Sequence, residues 1–238
     1  MNSTPRQRGI ATASLILLGS AIGFNLPAEA QTTANQQQRS EAGTGVQQQI
    51  ARAATVIEQM KADPKLAPLL KRAQGIFVVP AQTRGGLIVA GRGGKGVMLA
   101  RQGQEWTSPL FYNLGGISIG LQAGVERGPV AMLLMNEKAV NEFRKENNFA
   151  LDANAGLTLV NYNAAAVAGA SLGDVVVWTN TKGAFGAAAI GVLDIHFDDS
   201  DNRAYYGKPV KASDVLSGNV KDAQPGILGR SLKAVAAN

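Results

Sequence analysis

The sequence predicts an α+β fold, in which helices accompany a glycine-rich sheet that is mainly antiparallel or barrel-like. Apolar residues recur at helical spacing near the N-terminus, and from residue 75 onward they form short strand-like runs divided by Gly, Pro and Asn. Glycine supplies 28 of the 238 residues, which suits tight turns and closely packed strands. Many short strands with few helices indicate one curled sheet with an N-terminal helical segment and one central helix.

The N-terminal helical segment consists of two predicted helices. The first covers residues 44–63, because Thr44 and Gln47 form a capping-box pattern and Pro64 disfavours helical geometry in the residue before it. A second, short helix covers residues 65–73. The apolar face of the first helix consists of residues spaced by three or four, namely Val46, Ile50, Ala53, Ala54, Ile57 and Met60.

The strands follow in two groups on either side of the central helix. Asn136 is placed to cap that helix, which is predicted to run to residue 147 with Val140 and Phe143 facing inward. A last helical turn is predicted at residues 211–216 and a weakly helical tail at residues 224–238. The predicted strands cover residues 76–79, 87–91, 97–101, 117–123, 130–135, 157–162, 175–179, 185–193 and 205–206.

The N-terminal residues have the pattern of a secretory signal peptide. Arg6 and Arg8 precede an apolar run, and Ala28-Glu29-Ala30 is a small-x-small cleavage site. We therefore expect a signal peptide at residues 1–30, a flexible leader at 31–43, one domain at 44–218 and a C-terminal tail at 219–238. The expected location is a bacterial periplasm or the exterior, and no other segment is apolar for long enough to span a membrane.

Composition excludes several classes of site. The absence of cysteine rules out disulfides, thiolate metal sites, a cysteine nucleophile and a lipidated N-terminal cysteine.

The formal net charge of +6 makes nucleic acid an obvious partner. Two features argue against nucleic acid as a partner. The protein is expected to be exported, and it lacks a basic run interleaved with aromatic residues.

A glycine-rich segment at residues 91–96 matches the G-x-G-x-x-G pattern of dinucleotide sites. Such a site needs a following helix and an acidic residue about 20 positions on, whereas a strand-like run follows here. The segment is therefore predicted to be a hairpin, with a positive φ at Gly93, Gly94 or Gly96. Cations beside exposed backbone N–H groups suit an anion, and those nearby are Arg84, Arg92, Lys95 and Arg101.

Two further patterns suggest a catalytic serine and a metal site, and each has a simpler structural interpretation. Residues 116–120 match the G-x-S-x-G motif of serine hydrolases around Ser118, but they lie in an alternating strand rather than at a strand-to-helix turn. Asp194, His196 and Asp198 share one strand face and could hold a metal, although a solvated acidic turn is the commoner structure. We predict no enzymatic activity, no cofactor and no metal.

The motifs in the strand region resemble those of the SYLF-domain family over about residues 60–218. The similarity rests on six segments in family order. Four match the family patterns as they stand: A-x-G-I…P at residues 73–80, G-x-G-G-x-G-V…A-R at 91–101, the glycine-rich run at 115–124 and N-x-x-Y-Y-G at 202–207. Two resemble them with substitutions: Trp-Thr-Ser-Pro at 106–109 resembles the family's W-S-x-P, and Thr-Asn-Thr-Lys-Gly-Ala-Phe at 179–185 resembles its S-x-S-K-G-x-F. In eukaryotes this resemblance implies binding to membrane phosphoinositides and, in some members, to actin. In secreted bacterial members it implies lipid binding.

The resemblance leads to three functional hypotheses. The first is a module that binds anionic lipid or a membrane surface, and its site would consist of Lys71, Arg72, Arg84, Arg92, Lys95 and Arg101. The second is a structural or interaction protein of the envelope that binds protein or glycan. A serine hydrolase is a distant third. Export makes actin an unexpected partner, and residues 151–156 depart from the basic or Gly-Pro composition usual after the central helix.

Overall fold

Alternating apolar side chains build a single sheet that is covered on both faces. The computed structural model describes residues 28–80, 94–119, 128–145, 148–162, 173–180, 190–220 and 226–236. Its strands are β1 (Gly75–Val79), β2 (Gly94–Gln102), β3 (Glu105–Trp106), β4 (Leu110–Ile119), β5 (Val130–Leu134), β6 (Phe149–Leu151), β7 (Leu159–Asn161), β8 (Val175–Thr179) and β9 (Ile190–Phe197). Its helices are α1 (Ala28–Ala62), α2 (Ala67–Arg72), α3 (Glu137–Glu142), α4 (Asp199–Tyr206), α5 (Ala212–Leu216) and α6 (Ile227–Ala236).

The sheet is almost entirely antiparallel and nearly closes on itself. The strand order is β6-β9-β4-β2-β1-β5-β8-β7, and β3 pairs with β2 outside this path. The parallel pair is β7 with β8. Strands β7 and β9 lie near opposite ends of this strand order, yet they contact each other. The sheet therefore has the barrel-like curvature predicted from the sequence. The α+β fold class is confirmed.

Two clusters of buried side chains lie on opposite faces of the sheet, because neighbouring residues of a strand point to opposite sides. The outer cluster joins Ile76 and Val78 of β1 to the apolar face of α1. The inner cluster contains Phe77 and Val79 of the same strand, together with residues of α3, α5 and six other strands. Strand β1 is therefore buried along its whole length. This double burial explains why β1 is a continuous apolar run rather than an alternating one.

Helix α1 is longer than predicted. It begins at Ala28 instead of Thr44, so residues 31–43, predicted to be a flexible leader, are helical. This segment contains Gln, Ala, Arg and Glu and no proline, and residues of moderate helix propensity extend a helix that packing already stabilises downstream. The predicted apolar face is confirmed, since Ile57 and Met60 are fully buried. Buried Gln49 fixes this helix to the sheet, because its Nε2 donates to Gly96 O over 3.2 Å.

Most of the other elements are confirmed, and the central helix begins as the sequence predicts. The Asn136 side chain accepts a hydrogen bond from the Ala139 N–H, and the helix ends at Glu142, before the expected residue 147. Strands β3 and β6 were not predicted, and β4 begins seven residues earlier than expected. The predicted strand at residues 87–91 and parts of those at 117–123 and 185–193 lie outside the described residues.

The predicted strand at residues 205–206 is wrong, because this segment ends helix α4. The Asp198 side chain caps the helix by accepting from the Asp201 N–H, and Gly207 ends it with a φ of 69°. Adjacent tyrosines favour a strand by intrinsic propensity, but the two cap residues specify a helix. Across the part of the chain that the structure describes, no helix has both the length and the apolar composition needed to cross a membrane.

Candidate functional site

Four of the six predicted lipid-binding cations lie among the described residues, and these four do not form one patch. Lys71 and Arg72 are exposed in the last turn of α2. Lys95 and Arg101 lie near opposite ends of β2, and six residues of extended strand separate them by about 20 Å. Arg84 and Arg92 lie outside the described residues. The structure therefore groups Arg101 with the α2 cations and places Lys95 elsewhere.

Arg101 is held in place by backbone oxygens and by an aromatic ring. Its Nε donates to Ala73 O over 2.9 Å and its Nη2 to Leu70 O over 3.2 Å, so it binds the C-terminal end of α2. The guanidinium carbon lies 4.6 Å from the ring centre of Trp106, a cation–π contact. Burial lowers the pKa of Arg101, but an arginine remains charged at any physiological pH.

Lys95 pairs with the N-terminal turn of α4. Its Nζ lies 2.7 Å from Asp201 Oδ2 and 3.2 Å from Asp198 Oδ2. Burial alone would lower the pKa of Lys95, but the hydrogen bond and the charges of the two aspartates outweigh burial and raise it. Asn113 of β4 also donates to Asp198 Oδ2, over 3.0 Å. Lys95 is thus engaged in attaching α4 to the sheet.

The N-x-x-Y-Y-G segment has a structural role in this chain. Asn202 is 1% exposed; its Nδ2 donates to Phe111 O over 2.8 Å, and its Oδ1 accepts from Phe111 N over 3.1 Å. Tyr205 stacks at 5.4 Å from the Phe111 ring, and Tyr206 Oη donates to Pro109 O over 2.7 Å. These contacts fasten α4 along β4. The motif therefore maintains the fold.

The glycines at the start of β2 are required by close packing and not by a positive φ. Neither Gly94 nor Gly96 has a left-handed backbone, and Gly93, the third position at which a positive φ was expected, lies outside the described residues. A Cβ built on Gly94 would lie 2.6 Å from Val79 Cγ1, and a Cβ on Gly96 would overlap the Phe77 ring. The side chains of Val79 and Phe77 on β1 thus occupy the space that a side chain at either position would need.

The residues suggested for catalysis or for a metal do not assemble a site in the described part of the chain. Ser118 lies in β4 and pairs with Gly191 of β9, so its backbone is that of a strand and not of a nucleophile elbow. His196 Nδ1 is hydrogen-bonded to Asn148 Oδ1, whereas Asp198 is engaged by Lys95 and by the α4 cap. Among the described residues, no group of His, Asp and Glu could hold a metal ion.

A cavity of about 400 Å³ lies beside Trp106, and no sequence pattern predicted it. It is lined by described residues of α1, of the β2–β3 region through Pro109 and of the end of α4, by Gly218 and Val220, and by Gly226 with the start of α6. Buried Trp106 Nε1 has no hydrogen-bond acceptor within the described residues. The lining residues are Ile50, Leu99, Gln102, Glu105, Trp106, Thr107, Ser108, Pro109, Tyr205, Gly218, Val220, Gly226, Leu228, Gly229 and Arg230.

Two basic helices pack together at the same side of the domain. Leu70 of α2 and Leu228 and Leu232 of α6 share the outer apolar cluster, and the two helices are in contact. Neither helix contains an acidic residue. The basic face, defined here as Lys71, Arg72 and Arg230, is exposed on these helices, and Arg230 also lines the cavity. Sequence reasoning missed Arg230 because α6 is distant from α2 along the chain.

Comparisons with known proteins agree with the fold and motifs. Protein YSC84 of Saccharomyces cerevisiae is 30% identical over 167 residues, which is 67% of this chain and 36% of that protein. SH3 domain-containing YSC84-like protein 1 is 27% identical over 173 residues in Xenopus laevis, or 70% of this chain and 51% of that protein. The human protein of that name is 25% identical over 176 residues, or 71% and 51%.

The chain thus spans about a third to a half of the length of these relatives. Another similar yeast protein is named LAS seventeen-binding protein 3. The family described as "Ysc84: Las17-binding protein actin regulator" matches residues 115–235, about half of the chain. With this match added to the SYLF-like motifs, the chain belongs to the Ysc84 family of SYLF-domain proteins.

Proposed function

We propose that this protein is a non-enzymatic binding protein that attaches to anionic lipid surfaces of a bacterial envelope. The observation that carries the proposal is the basic face of α2 and α6, where Lys71, Arg72 and Arg230 are exposed on two adjoining helices that contain no acidic residue. Arg84 and Arg92 remain predicted contributors. Lys95 and Arg101 contribute less, because they are engaged within the protein.

The strength of this attachment follows from the number of exposed cations on the basic face. A lysine or arginine near an anionic leaflet contributes about 1 kcal/mol, so three give roughly 3 kcal/mol, which is weak binding. At about 0.15 M salt the Debye length is about 8 Å, so the attraction falls further. Ile227, an exposed large apolar residue next to this face, can add contact with the acyl region.

The test is co-sedimentation of the purified protein with vesicles of phosphatidylcholine alone or with added phosphatidylglycerol, at low salt and at about 0.15 M. Wild type should sediment with the anionic vesicles, and less at the higher salt. Replacing Lys71 and Arg72 together by alanine should weaken the partition roughly 30-fold, since two contributions of about 1 kcal/mol are lost.

The matched control replaces Lys208 and Lys211 by alanine. These two residues are also exposed, but they directly precede α5, which packs on the inner cluster. The control loses the same charge and should sediment like wild type. Equal losses in both variants would show only a general charge effect, and no sedimentation of wild type at low salt would refute lipid attachment.

The envelope location is the second part of the proposal, and it rests on Arg6, Arg8 and the Ala28-Glu29-Ala30 site. Cleavage after Ala30 would remove only the first three residues of α1. N-terminal sequencing of protein recovered from the periplasm of an expressing bacterium should begin at Gln31. Protein that stays in the cytoplasm and begins at Met1 contradicts the proposed location.

Protein binding is the second candidate function. It is favoured by the names of the relatives, which describe proteins that bind Las17. The partner here would be an envelope protein or glycan, because the proposed export separates the chain from actin. Failure of wild type to bind anionic vesicles at low salt favours this candidate over lipid attachment.

A further inference from the structure

Arg101 belongs to β2, but its hydrogen bonds go to the end of α2 and the residues just after it. The side-chain Nε donates to Ala73 O over 2.9 Å, and Nη2 donates to Leu70 O over 3.2 Å. The backbone N–H of Arg101 also donates, over 2.7 Å, to Gln74 O. One residue of the sheet therefore holds the chain between Leu70 and Gln74 by both its backbone and its side chain.

Helix α2 needs such support from outside. It has six residues, whereas isolated helices shorter than about 12 residues are marginal in water. If the helix continued, the Gln74 N–H would donate to Leu70 O, but the extended backbone of Ala73 ends the helix and the Gln74 N–H donates to Leu134 O over 2.8 Å instead. Arg101 supplies the donor that Leu70 O would otherwise lack.

Arg101 is itself fixed in position, so it can hold the end of α2 in one conformation. Its guanidinium carbon lies 4.6 Å from the ring centre of Trp106, the residue that pairs with Arg101 between β2 and β3. The planar guanidinium donates in two directions at once, towards Ala73 O and Leu70 O. A lysine at this position would keep the charge but lose this fork of donors.

We propose that Arg101 is a positioning residue for the basic face, because it holds the last turn of α2 in the conformation that presents Lys71 and Arg72. These two exposed cations lie in the chain between Leu70 and Ala73, whose carbonyl groups Arg101 binds. Arg101 thus acts on the surface through the backbone of α2 and not by contact of its own charge with lipid. The inference rests on the proposed function and adds the residue that sets the geometry of its site.

The first experiment is amide hydrogen exchange, followed by NMR without vesicles, in Arg101→Lys. The Ala73 N–H should exchange roughly ten-fold faster than in wild type, the factor expected when one hydrogen bond of ordinary strength is lost. The Gly207 N–H, at the end of α4, should exchange as in wild type. Arg52→Lys is the matched control, because it makes the same change at an exposed position of α1 and should alter neither amide.

Trp106→Leu is a second variant, which leaves Arg101 in place and removes the aromatic ring beside it. It should speed the exchange of the Ala73 N–H by a smaller factor than Arg101→Lys does, because the guanidinium keeps its hydrogen bonds but loses its cation–π contact. Circular dichroism under the same conditions shows whether each variant is folded.

The second experiment is co-sedimentation of Arg101→Lys with the anionic vesicles at low salt. The partition should weaken about five-fold at constant net charge, a part of the roughly 30-fold effect of removing Lys71 and Arg72. Such a loss is not expected if Arg101 contacts lipid by its charge alone, since lysine keeps that charge. Arg52→Lys should sediment like wild type.

Two results would overturn the proposal: exchange at Ala73 that stays at the wild-type rate in Arg101→Lys, or vesicle binding that stays at the wild-type level while this exchange is faster. Failure of wild type to bind the vesicles counts instead against the proposed function, and the exchange rates are measured independently of it.

Discussion

Replacing Gly96 by alanine is expected to destabilise the protein by about 2–3 kcal/mol, near the upper end of the usual cost of overpacking a core. The new methyl group would overlap the ring of Phe77 and lie 2.9 Å from Val79 Cγ2. The ring cannot move aside easily, because Phe77 is fully buried and packs against Tyr112 and Phe143. In a domain of this size the thermal midpoint should fall by roughly 5–10 °C, as measured by circular dichroism.

Two further variants make this prediction specific. Gly45→Ala is the matched control, because Gly45 lies inside α1 and a Cβ there would meet no atom within 4 Å. It should leave the midpoint unchanged or raise it. Phe77→Leu combined with Gly96→Ala should cost less than the sum of the two single changes, since the smaller side chain removes the overlap. A thermal midpoint of Gly96→Ala equal to that of wild type would show that the Phe77 and Val79 side chains of β1 do not pack against Gly96 of β2 as described.

Replacing Asn202 by alanine is expected to destabilise the protein by about 3 kcal/mol. The change removes the two hydrogen bonds to Phe111 and a third, from Asn202 Nδ2 to Asp198 O over 2.9 Å. The cost is high because the buried Phe111 N–H loses its acceptor, and an unsatisfied buried group costs about 1–3 kcal/mol by itself. Urea unfolding measures the free energy directly.

The charged analogue of this residue provides a sharper comparison. Asn202→Asp retains the shape, but it places carboxylate oxygens against the carbonyl oxygens of Phe111 and Asp198, so it should be less stable at neutral pH than Asn202→Ala. Asn219→Ala changes an exposed asparagine and should stay within about 0.5 kcal/mol of wild type. Wild-type stability in both Asn202 variants would show that α4 is attached to β4 by other contacts.

The sequence alone determined the fold class and most of the elements. The spacing of Ile50, Ile57 and Met60 predicted a buried helix face, and the apolar run 76–79 predicted a strand, because these periodicities are local properties of a helix and a strand. The Asn136 cap was recognised for the same reason. The motifs also identified the family before any comparison. Local signals failed at residues 205–206, where cap residues outweighed the strand propensity of two tyrosines.

The role of each charged or polar side chain depends on contacts between residues that are distant along the chain. Lys95 and Asp201 are 106 residues apart in sequence, so no local pattern could show that this predicted lipid-binding lysine is paired within the protein. The cavity beside Trp106 is lined in part by Gly229, more than a hundred residues away, and the basic face joins α2 to Arg230 of α6. Spacing along the chain reveals the period of an element, whereas burial, pairing and cavities arise where distant elements meet.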